Sequence, residues 1–275
     1  MVKILEDIMD YQWIDLKTEG HVATVGLSRL DTLNALNYGL ATEMTEVFQD
    51  LAANDDIWVI VLKSNARIFS AGLDLKETMS GGLMGNRTGL LTFPIRVKNL
   101  FECCHAIEEC KKPVIAAVHG KCVGAGLDII AACDLRLCTE DATFSLREAR
   151  ICLVADMGVL QRLPLIIGEM YTRLMAYTGR FFSAAEVQKM GLILDVYPDQ
   201  EALMAGAIKL AGDIMESAPL AVQNTKEVLN YSRTVSIREG ITLAVHKNMM
   251  LMQSEDCMEA MVAFSEKRKP NFKGA

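Results

Sequence analysis

The sequence predicts a layered α/β fold followed by a helical C-terminal extension. In the first part of the chain, apolar runs of strand length alternate with helical repeats, which is typical of strands covered by helices. After about residue 165, helical periodicity dominates. We therefore expect residues 1–200 to form the α/β core and residues 201–275 to form a helical extension of the same functional unit.

Three strands of the core are predicted in order. Residues 22–28 alternate in polarity, so they predict a half-exposed strand. Residues 58–64 and 113–120 are continuous apolar runs, as expected of strands covered on both faces. The first strand should present to the core the side chains of Ala23, Val25 and Leu27.

Helices are predicted between and after these strands. Apolar residues recur at helical spacing within residues 40–54 and again before Pro113. Residues 183–186 and 236–239 both read Ser-x-x-Glu, the capping box that begins a helix. The first stripe comprises Leu40, Met44, Val47, Phe48 and Leu51, and the second comprises Leu100, Phe101, Cys104 and Ile107. A late cluster, expected to pack in the core or at a subunit interface, comprises Met249, Met250 and Met252.

Composition and charge limit the classes of function. With 51% hydrophobic but only 6% aromatic residues, the core must be mostly aliphatic. The formal net charge of −7 provides no long-range attraction to nucleic acid or to an anionic membrane. No apolar run reaches membrane-spanning length. We expect neither a nucleic-acid binder nor a membrane protein.

Cysteine and histidine spacing argues against a metal site. The eight cysteines form no Cys-x-x-Cys pair, and the four histidines are scattered. We expect reduced cysteines in a reducing intracellular compartment and no bound metal. The N-terminal segment lacks the features of a signal or transit peptide, and the last residues do not read Ser-Lys-Leu, the peroxisomal signal.

Two turns of small residues each follow a predicted buried strand. The first lies in IFSAGLDL, residues 68–75, and the second in HGKCVGAGLDIIAACD, residues 119–134. Small residues let a ligand approach the backbone, and the N–H groups of a helix start face that ligand. Each turn alone is explained as an ordinary tight turn. Together they could direct two N–H donors at one oxygen, which is an oxyanion hole.

Three acids follow the second turn: Asp128, Glu148 and Asp156. Asp128 could simply favour the start of its helix, and Glu148 could pair with a neighbouring arginine on a wet surface. Asp156 could be a helix N-cap. It lies, however, in the apolar run 151–160, which we expect to be buried, and an unpaired buried carboxylate is costly. Asp156 therefore has the weakest structural explanation.

The chain resembles the crotonase superfamily, the enoyl-CoA hydratases and isomerases, over nearly its whole length. The segments RLDTLNALN, FSAGLDLKE, KPVIAAVHGKCVGAGLDIIAACDLRL and LQRLPLIIG occur in family order and spacing. The resemblance implies a crotonase-like spiral of ββα units. Asp128 and Glu148 match the two acids of the hydratases, whereas Asp156 stands where hydratases usually have glycine. The Asp-Glu-Asp set is similar to that of the isomerases that convert 3,5-dienoyl-CoA to 2,4-dienoyl-CoA in fatty acid β-oxidation.

The resemblance also implies the ligand and the roles of site residues. The substrate would be an acyl-CoA thioester, so coenzyme A is part of the substrate and no separate cofactor is expected. Its carbonyl oxygen would accept the N–H groups of Ala71 and Ala125, although many members have glycine at the latter position. Asp156 would remove a proton at C2, Glu148 would deliver one at C6, and Asp128 would position or tune Glu148. The implied substrate-binding residues are Ser70, Ala71, Gly72, Leu73, Asp74, Gly124 and Ala125.

Assembly and location are implied in the same way. The family implies a homo-oligomer, either a trimer or a dimer of trimers. It implies a mitochondrial matrix, peroxisomal or glycosomal location, or the cytoplasm if the source is bacterial. The basic cluster at residues 267–273 either contacts the coenzyme A phosphates or is a solvated tail.

Alternatives stay open at this point. The order of Asp156 and Glu148 at C2 and C6 could be reversed. A 2-enoyl-CoA hydratase would hold one water between Asp128 and Glu148 and would make little use of Asp156. A non-catalytic RNA- or CoA-binding protein on the same fold is opposed by the net charge of −7 and by the presence of all three acids.

Overall fold

The computed structural model describes residues 11–80 and 87–275, and for residues 78–80 and 87–96 it describes the backbone alone. The strands are β1 (Ile14–Glu19), β2 (Val22–Leu27), β3 (Val59–Ser64), β4 (Val114–Val118), β5 (Lys121–Val123), β6 (Leu135–Thr139), β7 (Thr143–Ser145), β8 (Phe182–Ser183) and β9 (Asp195–Tyr197). The helices are α1 (Tyr38–Ala53), α2 (Leu75–Ser80), α3 (Arg87–Glu109), α4 (Ala125–Ala132), α5 (Val159–Thr178), α6 (Ala184–Met190), α7 (Gln200–Met215), α8 (Pro219–Ser232), α9 (Ile237–Leu251) and α10 (Glu255–Glu266). Short 3₁₀ turns cover Leu30–Thr32 and Glu148–Ile151.

The strands form two sheets. The larger has the order β1-β2-β3-β4-β6-β9, and it is parallel except for the antiparallel pair β1 and β2. The smaller has the order β5-β7-β8. Helices connect the parallel strands, because a parallel pair needs a crossover rather than a hairpin. The predicted layered α/β fold is confirmed.

The larger sheet is covered on both faces. Ala23, Val25 and Leu27 of β2 are fully buried in the main core with α1, α3 and α4. Val22 faces the other way and is only 7% exposed, because α7 packs over that face. The prediction of a half-exposed first strand was therefore wrong, while the predicted core face of that strand is correct.

The predicted helices are confirmed at their positions. The five stripe residues of α1 are all buried, and in the second stripe only Phe101 is partly exposed. Both capping boxes form, with the side chains of Ser183 and Ser236 accepting the backbone N–H groups of Glu186 and Glu239. Helix α5 is interrupted at Gly168, whose φ of 76° is not helical.

Strands do not stop completely after residue 165. The short strand β8 joins the smaller sheet, and β9 becomes an edge of the larger one by pairing with β6. These three-residue and two-residue elements are too short to carry a periodicity signal in the sequence. The division at residue 200 remains a prediction, and α7, which begins there, packs directly on β3, β4 and β6.

Several surface features bear on later proposals. Met249, Met250 and Met252 are 61%, 72% and 68% exposed, so they do not pack in the core of the chain. Helix α9, which carries Met249 and Met250 and ends just before Met252, also exposes Ile237, Ile241 and Val245 at every fourth position. All eight cysteines are free thiols. Within the described ranges, every helix is too short or too polar to cross a membrane.

Candidate active site

A cavity of about 200 Å³ lies where the predicted turns meet the predicted acids. Its lining residues are Ala71, Gly72, Leu73, Leu75, Val123, Gly124, Ala125, Asp128, Arg147, Glu148, Ile151, Leu153, Val154, Asp156 and Met157. A larger groove of about 860 Å³ lies between the end of α3 and helices α8 and α9. It contains none of the predicted site residues, so the smaller cavity is the candidate active site.

The first turn is fixed by hydrogen bonds to the strand beside it. Ser70 donates its N–H to the Lys121 carbonyl and accepts that of Val123, both at 3.1 Å. The Ser70 hydroxyl accepts the Gly72 N–H at 3.1 Å. Gly72 has a φ of +95°, and a methyl group there would lie 2.9 Å from the Val123 carbonyl oxygen. Glycine is therefore required for the two turns to touch.

The second turn begins α4 and brings backbone close to Glu148. Gly124 has a φ of +51°, and a methyl group there would lie 2.9 Å from Glu148 Oε1. A methyl group at Gly126 would lie 2.9 Å from the Ser70 side chain. Ala125 is the first residue of α4, so its N–H has no acceptor within the helix. This N–H is available to a ligand in the cavity.

The N–H of Ala71 has a competing acceptor inside the protein. It donates to the Leu33 carbonyl at 3.0 Å, so it is not free for a thioester oxygen as the sequence analysis assumed. The Leu33 carbonyl reaches it because Leu33 and Asn34 both have left-handed backbone, with φ of 56° and 53°. Side chains at such φ are uncommon, and nothing in the sequence reveals them. A substrate oxygen must therefore share this donor or displace the Leu33 carbonyl.

Two predicted binding residues hold the first turn rather than line the cavity. Ser70 is fully buried. Asp74 pairs with Arg29 at 2.7 Å and accepts the N–H of Glu77 at 3.1 Å. The cavity lining includes the other five, which are Ala71, Gly72, Leu73, Gly124 and Ala125.

Asp128 is 1% exposed and connects α4 to α5. Its Oδ1 accepts the N–H of Val159, the first residue of α5, at 2.8 Å. Burial, together with the negative charges of Glu148 and Asp156, raises the pKa of this carboxyl to about 8, although the Val159 N–H and Arg162 oppose the rise. Asp128 thus fixes the segment that follows Asp156. Its hydrogen bond with Val159 was not predicted from the sequence.

Glu148 begins a 3₁₀ turn and points into the cavity. Its Oε2 is buried and has no hydrogen-bond partner among the described residues. Desolvation raises the pKa of Glu148, and the charge of Asp156 raises it further. An unpartnered carboxyl oxygen with a raised pKa is suited to hold a proton and then release it.

Asp156 lines the cavity and is exposed to solvent. Its side chain is exposed, yet neighbouring protein still raises its pKa through desolvation. The apolar run around it is buried, as expected, only at Ala155, Met157 and Val159. Its first half departs from the expectation, since Ile151, Leu153 and Val154 are 48%, 42% and 75% exposed. These apolar side chains form a wall of the cavity, where an apolar ligand rather than the core would cover them.

The sequence analysis missed two kinds of residue at this site. Leu75, Leu153, Val154 and Met157 line the cavity, but an apolar residue of a cavity wall reads like one of the core. Arg162 was also missed, although it donates to the Met157 carbonyl at 3.2 Å. In the described residues, no cluster of cysteine, histidine and carboxylate side chains is arranged to hold a metal ion.

The basic cluster near the C-terminus is largely neutralised by acids. Arg268 pairs with Glu259 at 2.6 Å, and Lys269 pairs with Glu216 at 2.7 Å. Groups already paired are less available to phosphates, so this arrangement favours the solvated-tail interpretation of residues 267–273.

Comparison with known proteins gives one consistent result. A family model described as Enoyl-CoA hydratase/isomerase matches residues 17–275. The chain is 37% identical to the peroxisomal Delta(3,5)-Delta(2,4)-dienoyl-CoA isomerase of Arabidopsis thaliana over 273 residues, 98% of both chains. It is 37% identical to the mitochondrial Delta(3,5)-Delta(2,4)-dienoyl-CoA isomerase of Homo sapiens over 254 residues, 90% of this chain and 77% of that one. A crystal structure of an enoyl-CoA hydratase from Bacillus anthracis matches with a TM-score of 0.88 and 29% identity, covering 96% of this chain and 100% of that one.

Proposed function

Because the chain belongs to the enoyl-CoA hydratase/isomerase family, we propose that it converts a 3,5-dienoyl-CoA to the 2,4-dienoyl-CoA in fatty acid β-oxidation. One observation carries the proposal: a third carboxylate, Asp156, lines the same cavity as Asp128 and Glu148. The two relatives described above, whose names specify this isomerisation, support it.

The backbone turns stabilise the charge that develops on the thioester. The Ala125 N–H donates to the carbonyl oxygen. The Ala71 N–H also donates to it when this oxygen displaces the Leu33 carbonyl or shares the N–H with it. Two donors aimed at this oxygen favour the enolate over the neutral thioester, which acidifies C2. A methyl group at Gly72 would lie 3.8 Å from the Ala125 nitrogen, so the two turns approach each other closely there, which supports this arrangement.

Proton transfer requires two groups, because the reacting carbons are far apart. Asp156 takes the proton as the C2–H bond breaks, and the electron pair spreads over the thioester oxygen and the conjugated chain. Glu148 then delivers a proton to C6, leaving double bonds at C2 and C4. C2 and C6 are separated by four bonds, roughly 5 Å, which one carboxylate cannot easily serve.

The environments of these acids suit their roles. The raised pKa and unpartnered Oε2 of Glu148 favour the protonated form needed for delivery. Asp156 reaches solvent, so its ionised form is hydrated and its acquired proton exchanges with water between turnovers. Asp128 holds the Val159 N–H rather than a reacting atom, so we assign it to positioning the Asp156 segment.

Assembly, ligand and location follow as further parts of the proposal. The substrate supplies coenzyme A, and no separate cofactor is needed. The exposed apolar residues of α9, which recur every fourth position from Ile237, suit a contact between copies in a trimer or a dimer of trimers. A mitochondrial or peroxisomal location agrees with the names of the two relatives.

A 2-enoyl-CoA hydratase is the second candidate, favoured by the match to the Bacillus anthracis hydratase. That reaction would need Asp128 and Glu148 to hold one water. The bond from Val159 already occupies Asp128 Oδ1, which leaves that carboxylate less able to bind a catalytic water.

The ratio of two activities in Asp156→Asn distinguishes these candidates. We expect isomerisation of a 3,5-dienoyl-CoA, followed by diene absorbance, to fall about 10²- to 10⁴-fold, the usual contribution of one general acid or base. Hydration of crotonyl-CoA, if present, should fall far less. Glu148→Gln should damage both reactions.

The matched control is Asp213→Asn, which removes a carboxylate that is 58% exposed on α7. It should leave both rates unchanged, and a melting curve for each variant excludes unfolding as the cause. If Asp156→Asn isomerises at the wild-type rate but loses hydration, the isomerase proposal is wrong and the protein is a hydratase.

A further inference from the structure

Arg162 of α5 lies buried behind the segment that carries Asp156. Its side chain is 7% exposed and forms an ion pair with Glu108 of α3 at 2.6 Å. It also donates to the Met157 carbonyl at 3.2 Å. Arg162 therefore links the active-site segment to the middle of the fold, although it does not itself line the cavity.

Gly158 creates the space for this contact. Its φ is +107°, and a methyl group there would lie 2.0 Å from Arg162 Nη1. No ordinary side chain can occupy that position while the guanidinium stays in place. The backbone between Asp156 and α5 is thus shaped around the guanidinium.

The same segment is held from its other end by Asp128. The Asp128 carboxylate accepts the Val159 N–H at 2.8 Å, while Arg162 donates to the carbonyl two residues earlier. The carboxyl oxygen of Asp128 on an N–H and the Arg162 guanidinium on a carbonyl fix both ends of the three-residue segment 157–159. Asp156 is the residue immediately before it.

Glu108 is in turn held by the C-terminal helices. Asn230 of α8 donates to the Glu108 carbonyl at 3.0 Å, and Arg233 shares the Glu108 carboxylate. This carboxylate therefore carries two guanidinium partners, which hold the pKa of Glu108 below its usual value. The chain of contacts runs from α8 through α3 and α5 to the segment after Asp156.

We propose that Arg162 is a positioning residue for the reaction, which acts through the Met157 carbonyl to hold Asp156 at C2 of the substrate. The inference rests on the proposed function, because it assigns Arg162 to the step that Asp156 performs. Its charge has a second effect, since Arg162 opposes the rise in the pKa of Asp128.

Three variants test the inference. Arg162→Gln removes the ion pair with Glu108 and weakens the hold on the Met157 carbonyl. We expect kcat for dienoyl isomerisation to fall about 10- to 100-fold, the scale of a small misplacement of a reacting group. KM for the CoA ester should change less than about threefold, because Arg162 does not itself line the cavity. Arg162→Lys keeps the charge and one donor, so it should restore part of kcat. Glu108→Gln should lower kcat in the same direction by loosening Arg162.

The matched control is Arg173→Gln on the same helix, which removes an exposed arginine paired with Glu169. It should leave kcat unchanged. If Arg162→Gln does not fold, the same comparison is made with Arg162→Lys and Glu108→Gln: kcat should fall while KM changes little.

A double variant separates this inference from the proposed function. In a protein that already carries Asp156→Asn, adding Arg162→Gln should lower kcat little further, because the two residues act as a unit. Two results would overturn the inference alone. One is that the two substitutions lower kcat by fully additive free energies; the other is a wild-type kcat in Arg162→Gln while Asp156→Asn is inactive. A wild-type isomerisation rate in Asp156→Asn would instead overturn the proposed function.

Discussion

The two walls of the active-site cavity are built in opposite ways. The turn wall, residues 70–74 and 124–128, is mostly buried and joined by backbone hydrogen bonds to neighbouring strands. The loop wall, residues 148–157, exposes several apolar side chains and carries Glu148 and Asp156 without ion-pair partners among the described residues. Fixed backbone donors suit a charge that always develops at one oxygen. An open apolar wall suits acyl chains that differ in length.

Asp128 joins the two walls, so its replacement gives the largest expected effect on stability. The unfolded chain ionises this carboxyl near its ordinary pKa of 3.8, whereas the folded chain does so only at about 8. Between these values the folded state holds more protons, so rising pH destabilises the wild type relative to Asp128→Asn. Even half of this difference between the two pKa values corresponds to roughly 3 kcal/mol in the free energy of unfolding, at about 1.4 kcal/mol per pKa unit.

Urea unfolding of both proteins from about pH 5 to about pH 9 measures this difference. Other titrating groups cancel when the two proteins are compared at each pH. The amide retains an oxygen acceptor for the Val159 N–H, so the segment after Asp156 should keep its position. A stability difference that does not change with pH would show that Asp128 is not the buried titrating group.

Replacing glycine in the turn wall should cost both stability and activity. Gly72→Ala places a side chain at a φ of +95° and 2.9 Å from a backbone oxygen that cannot move aside easily. We expect a loss of about 2 kcal/mol, the scale of left-handed strain in a residue with Cβ, and a lower kcat. Gly212→Ala within α7 is the control, since a methyl group there meets nothing within 4 Å. An unchanged melting temperature in Gly72→Ala would contradict a rigid turn wall.

Replacements in the loop wall should weaken substrate binding while leaving stability almost unchanged, so their effect on stability should be the smallest. Val154 is 75% exposed, so Val154→Ser should change the free energy of unfolding by less than about 0.5 kcal/mol. Its apolar side chain lines the cavity, so KM for a long-chain CoA ester should rise several-fold. Leu194→Ser, at a residue that is 52% exposed outside the cavity, should leave KM unchanged. A large drop in melting temperature for Val154→Ser would mean that the loop is part of the core.

The sequence predicted the turn wall better than the loop wall. Buried strands followed by small residues carry a local signal, so the turns around Gly72 and Gly124 were located from sequence alone. The helices with apolar stripes and the two capping boxes were located for the same reason. In each case the residues that form the feature lie within a few positions of one another.

What was missed depends on contacts between distant residues. The left-handed backbone at Leu33 brings a carbonyl to Ala71, 38 positions along the chain (71 − 33). The apolar residues from Ile151 to Val154 read as core, because hydrophobicity does not reveal whether a wall faces protein or ligand. The contact of Asp128 with Val159 likewise spans 31 positions and has no local signal.

The helix that covers the outer face of the larger sheet also sets a condition on biosynthesis. Helix α7 cannot cover this face until it has left the ribosome. The apolar side chains that wait for it are those of Val22, Val59, Val61, Ile115, Ala117 and Leu137. The last strand that supplies these side chains, β6, ends at residue 139, and α7 ends at residue 215, so 76 further residues (215 − 139) must be added. At roughly 5–20 residues per second, this face stays open on the nascent chain for about 4–15 s. A translational pause in that interval therefore prolongs the time for which this apolar face is exposed on the nascent chain, and exposed apolar surface is prone to aggregate.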